Sequence, residues 1–384
     1  MRDRKLIRLL ASALYYVVER SVSVDVAFKM ACTGKCAKTL EERERLYEMV
    51  RRFVSDYWKL VCVLGRRKRY GALARAWLEG VEEPREPHCR LSYPRWFYER
   101  ITELLGKDEG ERMLEAMNKR VWWLRVNTLV ADVDRVIKEL ESEGVVVEQD
   151  KHIPYMLMVV STPKPVRLLR PVKEFKAIPQ DKASAAVVEA LRPEPGDTVV
   201  DMAAAPGMKT SLIMMLTENG ARVVAVDISV RRLVQARNLL KKLGTDLGRV
   251  QLVAADSTAR PLVGRAEKVL LDAPCSNSGA VGKDPGIKVS LTEGKVAHYS
   301  RLQREMLLAA YDMDPEYVVY STCSVMPEEG EEHVEALAQL YEPEKPLPWL
   351  RNGYSAYSVA ENVGRMYPHL DRTDGFFIAR LRPQ

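Results

Sequence analysis

The chain has 384 residues, 47% hydrophobic and 29% charged, which is the balance of a folded protein and length enough for two or three domains. That composition excludes a disordered chain, and no apolar run reaches membrane-spanning length: the best candidate, Leu9 to Val18, is short and bounded by Arg8 and Glu19. The net charge of +6 is uneven, because residues 1–90 hold 20 Lys/Arg against 12 Asp/Glu, which is +8, and leave about −2 for the rest; such a distribution suits a polyanionic partner as well as a solvated helical surface. With no cleavage-site pattern near the N-terminus, a cytoplasmic protein is expected.

Residues 1–80 read as all helix. Ile7, Leu10, Leu14 and Val17 recur at helical spacing, and Leu46, Met49, Phe53, Tyr57 and Leu60 form a second stripe on a helix opened by Thr39 and the acidic residues after it. The run Arg66-Arg67-Lys68-Arg69-Tyr70 offers charge for a phosphate backbone and a ring for stacking. Four of the six cysteines precede residue 90. A cytoplasmic setting predicts them buried, catalytic or metal-bound rather than disulfide-bonded. Cys32-x-x-x-Cys36 has no second Cys/His pair at ligand spacing, and His88-Cys89 does not supply one, so no metal is expected. Cys62 lies in an apolar stretch and reads as core.

The acidic, proline-containing stretch Val81 to Pro87 marks a boundary, and another helix begins at Pro94. Between residues 120 and 175 the pattern changes to a small α+β unit. Strands are predicted at Trp122 to Leu129, Val145 to Val147 and Met156 to Val160, and a helix at Val133 to Glu143, closed by Gly144. From Gln180 onward strand and helix alternate. Strands are predicted at Thr198 to Met202, Ala221 to Ile228, Val250 to Ala255, Lys268 to Leu271, Tyr317 to Tyr320 and Phe376 to Leu381, with helices at Thr210 to Thr217 and Val230 to Leu243. Apolar strands separated by helices predict an α/β fold with a doubly wound, mostly parallel sheet, which binds ligands beyond its C-terminal strand ends.

The first strand of that series ends in Asp201, followed by a loop of small residues up to Gly207 and then Met208, Lys209 and Thr210. Small residues let the backbone approach a ligand, and the following helix presents unpaired N–H groups. The second strand ends in Asp227, placed to accept both hydroxyls of a ribose, and the third in Asp256, placed to accept from an adenine amino group. A single Asp after a strand commonly caps a turn. Three after successive strands point to an adenosine-containing cofactor. A nicotinamide site is disfavoured by the missing G-x-G-x-x-G spacing and by Pro206, which removes a donor; a P-loop lacks its first glycine.

The fourth strand runs into Asp272-Ala273-Pro274-Cys275-Ser276 and the fifth into Ser321-Thr322-Cys323-Ser324. Neighbouring strands would bring both cysteines to one crevice. Methylation at C5 of a pyrimidine needs such a group, since a thiolate adding to C6 makes C5 nucleophilic and can later be expelled. An acid bonded to N3 assists, and Asp272 is placed for it. Which cysteine attacks stays open on this reasoning: a helix begun at Pro327 favours a thiolate at Cys323, and Glu328, Glu329, Glu331 and Glu332 oppose it.

These motifs, with Leu124-Arg-Val-Asn-Thr128, Gln180-Asp181-Lys-Ala-Ser184, Arg365-Met-Tyr-Pro-His369 and Asp374-Gly-Phe-Phe377, resemble the Nop/Sun RNA cytosine-5 methyltransferases over roughly residues 90–384. The resemblance implies a Rossmann-like sheet and S-adenosylmethionine as cofactor, contacted by Ala203, Ala204, Ala205, Pro206, Gly207, Met208, Lys209, Asp227, Arg232, Asp256 and Asp272. It implies that Cys323 attacks C6 and that Cys275 assists release of the methylated RNA. It also implies a linker helix plus an RRM-like unit over 83–176, the RRM-like part at 120–175, a catalytic domain over 177–384 and, more loosely, a NusB-like RNA-binding domain over 1–82. That last domain leans the substrate toward rRNA over tRNA. Ala203, Met208, Asn277 and Gly330 stand where the family usually has Cys, Gly, Gly and Asn. An active monomeric enzyme is expected. The alternatives are a catalytically idle RNA-binding assembly factor of the same fold and an RNA N-methyltransferase, which needs no thiol.

Overall fold

The computed structural model describes residues 2–34, 36–65, 69–259 and 266–384. Arg66, Arg67 and Lys68 of the basic run lie outside the described residues. Tyr70, at its end, donates its hydroxyl to Glu19 and sets its ring edge-on to Tyr15. The chain divides into two compact units. One contains the residues up to Arg120 together with Asn277–Glu293; the other contains Val121–Ser276 and Gly294–Gln384. The boundary read at residue 82 therefore falls inside the first unit.

Every regular element described in the first unit is a helix. The expected stripe of helix Arg2–Arg20 is buried at Leu10, Leu14 and Val17. The second stripe is split between helices Leu40–Ser55 and Tyr57–Leu64, with Thr39 capping the first by accepting from the Glu42 N–H at 3.1 Å. Phe53, Tyr57 and Leu60 meet Leu10, Leu14 and Phe28 in one core. Residues 277–293, which follow the Pro-Cys pair in sequence, belong to this unit. Arg51 donates to the carbonyls of Gly282 and Lys283 at 2.8 and 2.7 Å, and Trp58 Nε1 donates to that of Lys288 at 2.8 Å. Lys288 is fully buried; its ammonium donates to Asn118 Oδ1 at 2.7 Å and lies over the Tyr93 ring. Burial pushes its pKa down to about 7.

The cysteine expectation is overturned in this unit. Cys32 is bonded to Cys36, and Cys62 to Cys89. Cys62 is exposed and not core. It sits two residues after the buried Leu60, about 200° around the helix, on the face away from the packed stripe. His88 lies close to the second pair, but both sulfurs are already bonded to each other. Thiol titration of the denatured chain should find two reactive thiols without reductant and six with it. Reduction should also lower the stability of the helical unit by about 3 kcal/mol for the 27-residue span of the second bridge. Six thiols before reduction would sink both cross-links.

The second unit holds two sheets. Strands β1 (Trp122–Val126), β2 (Val146–Gln149), β3 (Met156–Ser161) and β4 (Ala177–Pro179) form an antiparallel sheet of order β2-β3-β1-β4, with helix Val133–Ser142 in the β1–β2 connection. This is the expected α+β unit; the three-residue β4 was not read from sequence. The larger sheet begins with β5 (Thr198–Asp201), β6 (Arg222–Asp227), β7 (Val250–Ala254), β8 (Lys268–Asp272) and β9 (Tyr317–Thr322), all parallel. It is completed by antiparallel β10 (Tyr341–Glu344), β11 (Gly364–Met366) and β12 (Phe376–Pro383). The order β10-β12-β9-β8-β5-β6-β7 is the doubly wound arrangement expected.

Successive strand residues feed opposite faces. Val199 and Leu270 pack into a core shared with helices Lys182–Leu191 and Met208–Leu216, while Val200 and Leu271 pack with helix Glu293–Tyr311. The direction of winding reverses between β5 and β8, the place at which sheets of this kind bind ligands beyond their C-terminal strand ends. No helix among the described residues is long and apolar enough to cross a membrane.

Candidate active site

The residues expected from sequence to carry the chemistry lie at or just beyond the C-terminal ends of β5, β6, β8 and β9. Beyond β5 the chain turns through Ala203–Pro206 to Gly207, which has a φ of +98° and caps helix Met208–Leu216; its missing side chain also leaves room for Ala236, 3.4 Å from where a Cβ would stand. Arg125 of β1, almost fully buried, steadies this turn by donating to the Met208 carbonyl at 3.1 Å and Ser211 Oγ at 2.8 Å. Asp201 is fully buried and accepts from Thr210 Oγ1 at 2.7 Å, while its Oδ1 has no hydrogen-bond partner. Burial pushes its pKa up to about 6, against the pull of the Thr210 hydrogen bond and the Lys209 charge.

Asp227 ends β6 with its carboxylate shared. Oδ1 accepts from the Ser229 N–H at 2.9 Å, and Oδ2 accepts from the Ala205 N–H at 3.3 Å and pairs with Arg232 at 3.1 Å. Arg232 donates also to the Ala205 carbonyl, so Asp227, Arg232 and the β5 loop form one braced group. Ile228, Val230 and Val234, just beyond, are large apolar side chains left exposed. An acidic acceptor beside an uncovered apolar patch fits an adenosine, whose ribose hydroxyls donate and whose flat base would cover the patch. Asp256 is arranged differently. It is exposed, and its Oδ1 accepts from the N–H and the hydroxyl of Thr258, capping its own turn and holding its pKa down.

Strands β8 and β9 bring the two sulfurs together. Their parallel register pairs Asp272 with Ser321, and Cys275 and Cys323, beyond the strand ends, stand Sγ to Sγ at 3.2 Å. Cys275 is buried and Cys323 half-buried. Asp272 accepts from Lys209 Nζ at 2.5 Å and from Ser321 Oγ at 2.8 Å. Lys209 in turn lies over the Phe376 ring of β12. Lys209 thus ties the β5 turn to Asp272, and Ser321, two residues before Cys323, ties Asp272 to the Thr-Cys segment.

Two expectations about the Cys323 segment are corrected. No helix starts at Pro327: Pro327–Glu329 is a single 3-10 turn, and the α-helix Glu331–Ala336 begins after Gly330. A helix terminus for a thiolate is therefore absent from that position. Of the four glutamates expected to oppose a thiolate, two are tied up in buried contacts. Glu331 is buried and pairs through both oxygens with buried Arg365, at 2.6 Å each. Glu329 is buried and accepts four hydrogen bonds: from the Ser276 N–H (2.7 Å), Ser276 Oγ (2.5 Å), Ser324 Oγ (2.5 Å) and Gln303 Nε2 (3.1 Å). Burial raises its pKa against those bonds. Gly330 explains its own departure from the usual Asn, because a Cβ there would stand 2.9 Å from the Phe377 ring.

Residues 188–382 match the family described as 16S rRNA methyltransferase RsmB/F. The chain belongs to that family. Residues 93–167 match the ferredoxin-like domain of RsmF/B-like methyltransferases, which covers the α+β unit read from sequence. Among curated relatives, the chain is 31% identical over 304 residues to ribosomal RNA small subunit methyltransferase B of Klebsiella pneumoniae, covering 77% of this chain and 67% of that one. It is 28% identical over 361 residues to 25S rRNA (cytosine-C(5))-methyltransferase nop2 of Schizosaccharomyces pombe, covering 88% and 57%. The chain thus spans about two thirds of the bacterial relative's length and little over half of the yeast one's. Among solved structures, PH0851 is 26% identical with a TM-score of 0.83, covering 98% of both chains. S-adenosylmethionine is the cofactor of the RsmB/F family.

Glu329, Gln303, Ser276, Ser324 and Arg125 were not read from sequence as site residues. Glu329 sits in a run of four glutamates that looks solvated, and only its fold-imposed burial distinguishes it. The buried Asp201 gives a pH test. Its folded pKa of about 6 lies above the ordinary value of 3.8, so its contribution is fully present below pH 4 and is lost as pH rises through 6. The loss amounts to about 3 kcal/mol. In melts from pH 4 to 7, Asp201→Asn should gain on the wild type as pH rises. A difference constant across that window would refute the burial account.

Proposed function

We propose that this RsmB/F-family chain transfers a methyl group to C5 of a cytosine in ribosomal RNA, with Cys323 as the nucleophile. The observation that carries the reading is the 3.2 Å approach of the two sulfurs beside the Lys209–Asp272 pair. Bound S-adenosylmethionine supplies an electrophilic methyl. The Ala203–Lys209 turn, the braced Asp227–Arg232 pair, Asp256 and Asp272 are the residues that would hold it, Asp227 by accepting the ribose hydroxyls.

C5 of cytosine is barely nucleophilic. The Cys323 thiolate adds to C6, its electron pair forming the S–C6 bond, and the C5–C6 π electrons become available at C5 for the methyl. Cys323 takes this role because it is the partly accessible thiol, while Cys275 is buried behind it. Asp272 accepts from Lys209 and Ser321, so the proton donated toward N3 comes from the ion pair and not from a lone carboxylic acid. After methyl transfer a base removes the C5 proton, the C5=C6 bond re-forms and the C6–S bond breaks, returning its electrons to Cys323. Cys275, in contact with that sulfur, assists the release. The basic N-terminal segment, residues 1–82, contributes RNA contacts in this scheme, as a NusB-like domain would.

Bisulfite sequencing of ribosomal RNA incubated with the full chain and S-adenosylmethionine should show one protected cytosine. Cys275→Ala should accumulate a denaturant-resistant protein–RNA adduct and Cys323→Ala should form none. Undiminished methyl transfer by Cys323→Ala would overturn the mechanism, and methylation at an exocyclic amine would replace the reaction altogether.

A further inference from the structure

Glu329 touches the segments of both cysteines at once. On the Pro-Cys side its carboxylate accepts from the backbone N–H and the hydroxyl of Ser276, the residue after Cys275. Gln303, which donates to the same carboxylate at 3.1 Å, uses its other amide hydrogen on the Pro274 carbonyl at 2.8 Å, the residue before Cys275. On the Thr-Cys side the carboxylate accepts from the hydroxyl of Ser324, the residue after Cys323. The Glu329 backbone carbonyl accepts from the Thr322 hydroxyl at 3.0 Å, the residue before Cys323. The residues flanking each cysteine are thus tied, directly or through Gln303, to this single buried glutamate.

A carboxylate is suited to the task because it only accepts and offers about four lone-pair sites, matching the four donors it meets. With the side chain fully buried, no water replaces a lost donor, so each of the four bonds adds to the resistance to distortion. The Ser276 N–H and Gln303 Nε2 share one carboxylate oxygen and the Ser276 and Ser324 hydroxyls the other, so an amide can keep its oxygen on the fixed donors and donate to the hydroxyls, whereas an alanine loses all four bonds.

We propose that Glu329 is a positioning residue that fixes the distance between Cys275 and Cys323, so that attack by one thiol and release by the other depend on it. The inference rests on the proposed methyl transfer for its consequence and on geometry alone for its premise. Its test separates the two. Cys275 and Cys323 are the only cysteines outside disulfides, so mild oxidation of the full chain with diamide joins them: two thiols give one disulfide, and diamide takes up the two electrons and two protons.

In Glu329→Ala this cross-linking should slow by about tenfold or more, and kcat for RNA methylation should fall on the order of 100-fold, the cost of misplacing a reacting group, while Glu329→Gln should restore most of both. KM for RNA and calorimetric affinity for S-adenosylhomocysteine should stay within about twofold of wild type. Ser324→Ala removes the tie from the Cys323 side to the carboxylate and leaves the Thr322 bond to the Glu329 carbonyl. It should slow cross-linking, and in a Cys275→Ala background it should slow formation of the covalent RNA adduct. It decides the matter if Glu329→Ala does not fold. Cross-linking at the wild-type rate in Glu329→Ala and Ser324→Ala overturns the proposal, as does a loss of kcat matched by an equal loss of cofactor affinity. A wild-type chain that methylates no RNA overturns the proposed function instead, while the cross-linking comparison still judges the positioning role.

Discussion

The parallel pairing of β8 with β9 sets Asp272 against Ser321, and the arrangement of the site follows from that register. Parallel strands end on the same side of a sheet, so the segments leaving them emerge together. A one-residue slip would turn Ser321 to the other face and remove the hydrogen bond that orients Asp272. It would also carry Cys323 away from Cys275. The register is protected because both faces of these strands are buried, with Leu270 and Val319 in one core and Leu271 and Tyr320 in the other.

The bracing around the cofactor turn follows the same logic at a second level. Asp227 and Arg232 hold Ala205 from the β6 side, and Arg125 holds Met208 from the small antiparallel sheet. The small sheet is thereby a buttress for the loop as well as a separate structural layer. Met208, which replaces a usual glycine, is held through its carbonyl and is only half-buried, so its side chain is accommodated without disturbing the turn.

What could be read from sequence was what depends on local pattern. Alternating apolar strands and the Asp201, Asp227, Pro-Cys and Thr-Cys endings follow from short spacings, and each strand of the parallel set was placed to within a residue or two. What could not be read depends on partners far away in sequence. Cys62 looks like core because its neighbours are apolar, and only Cys89, 27 residues on, makes it a cross-link on the exposed face. Pro327 followed by glutamates has the composition of a helix start, yet Gly330 is closely approached by Phe377 and the helix begins only afterwards. Asp256 stands two residues beyond the end of its strand, and one of its carboxylate oxygens is taken up by Thr258, a competition that spacing alone does not reveal.

The excursion of residues 277–293 into the helical unit has a consequence for how the protein can be taken apart. The first 120 residues are not a self-sufficient module: Arg51, Trp58 and Asn118 complete their hydrogen bonds on a segment encoded more than 150 positions downstream. Cutting the chain after Arg120 would strip the cover from those groups and, on the other fragment, leave the Lys288 ammonium without the aromatic ring and the amide that shelter it. The helical unit is therefore complete only with residues 277–293, and a cut at Arg120 divides it.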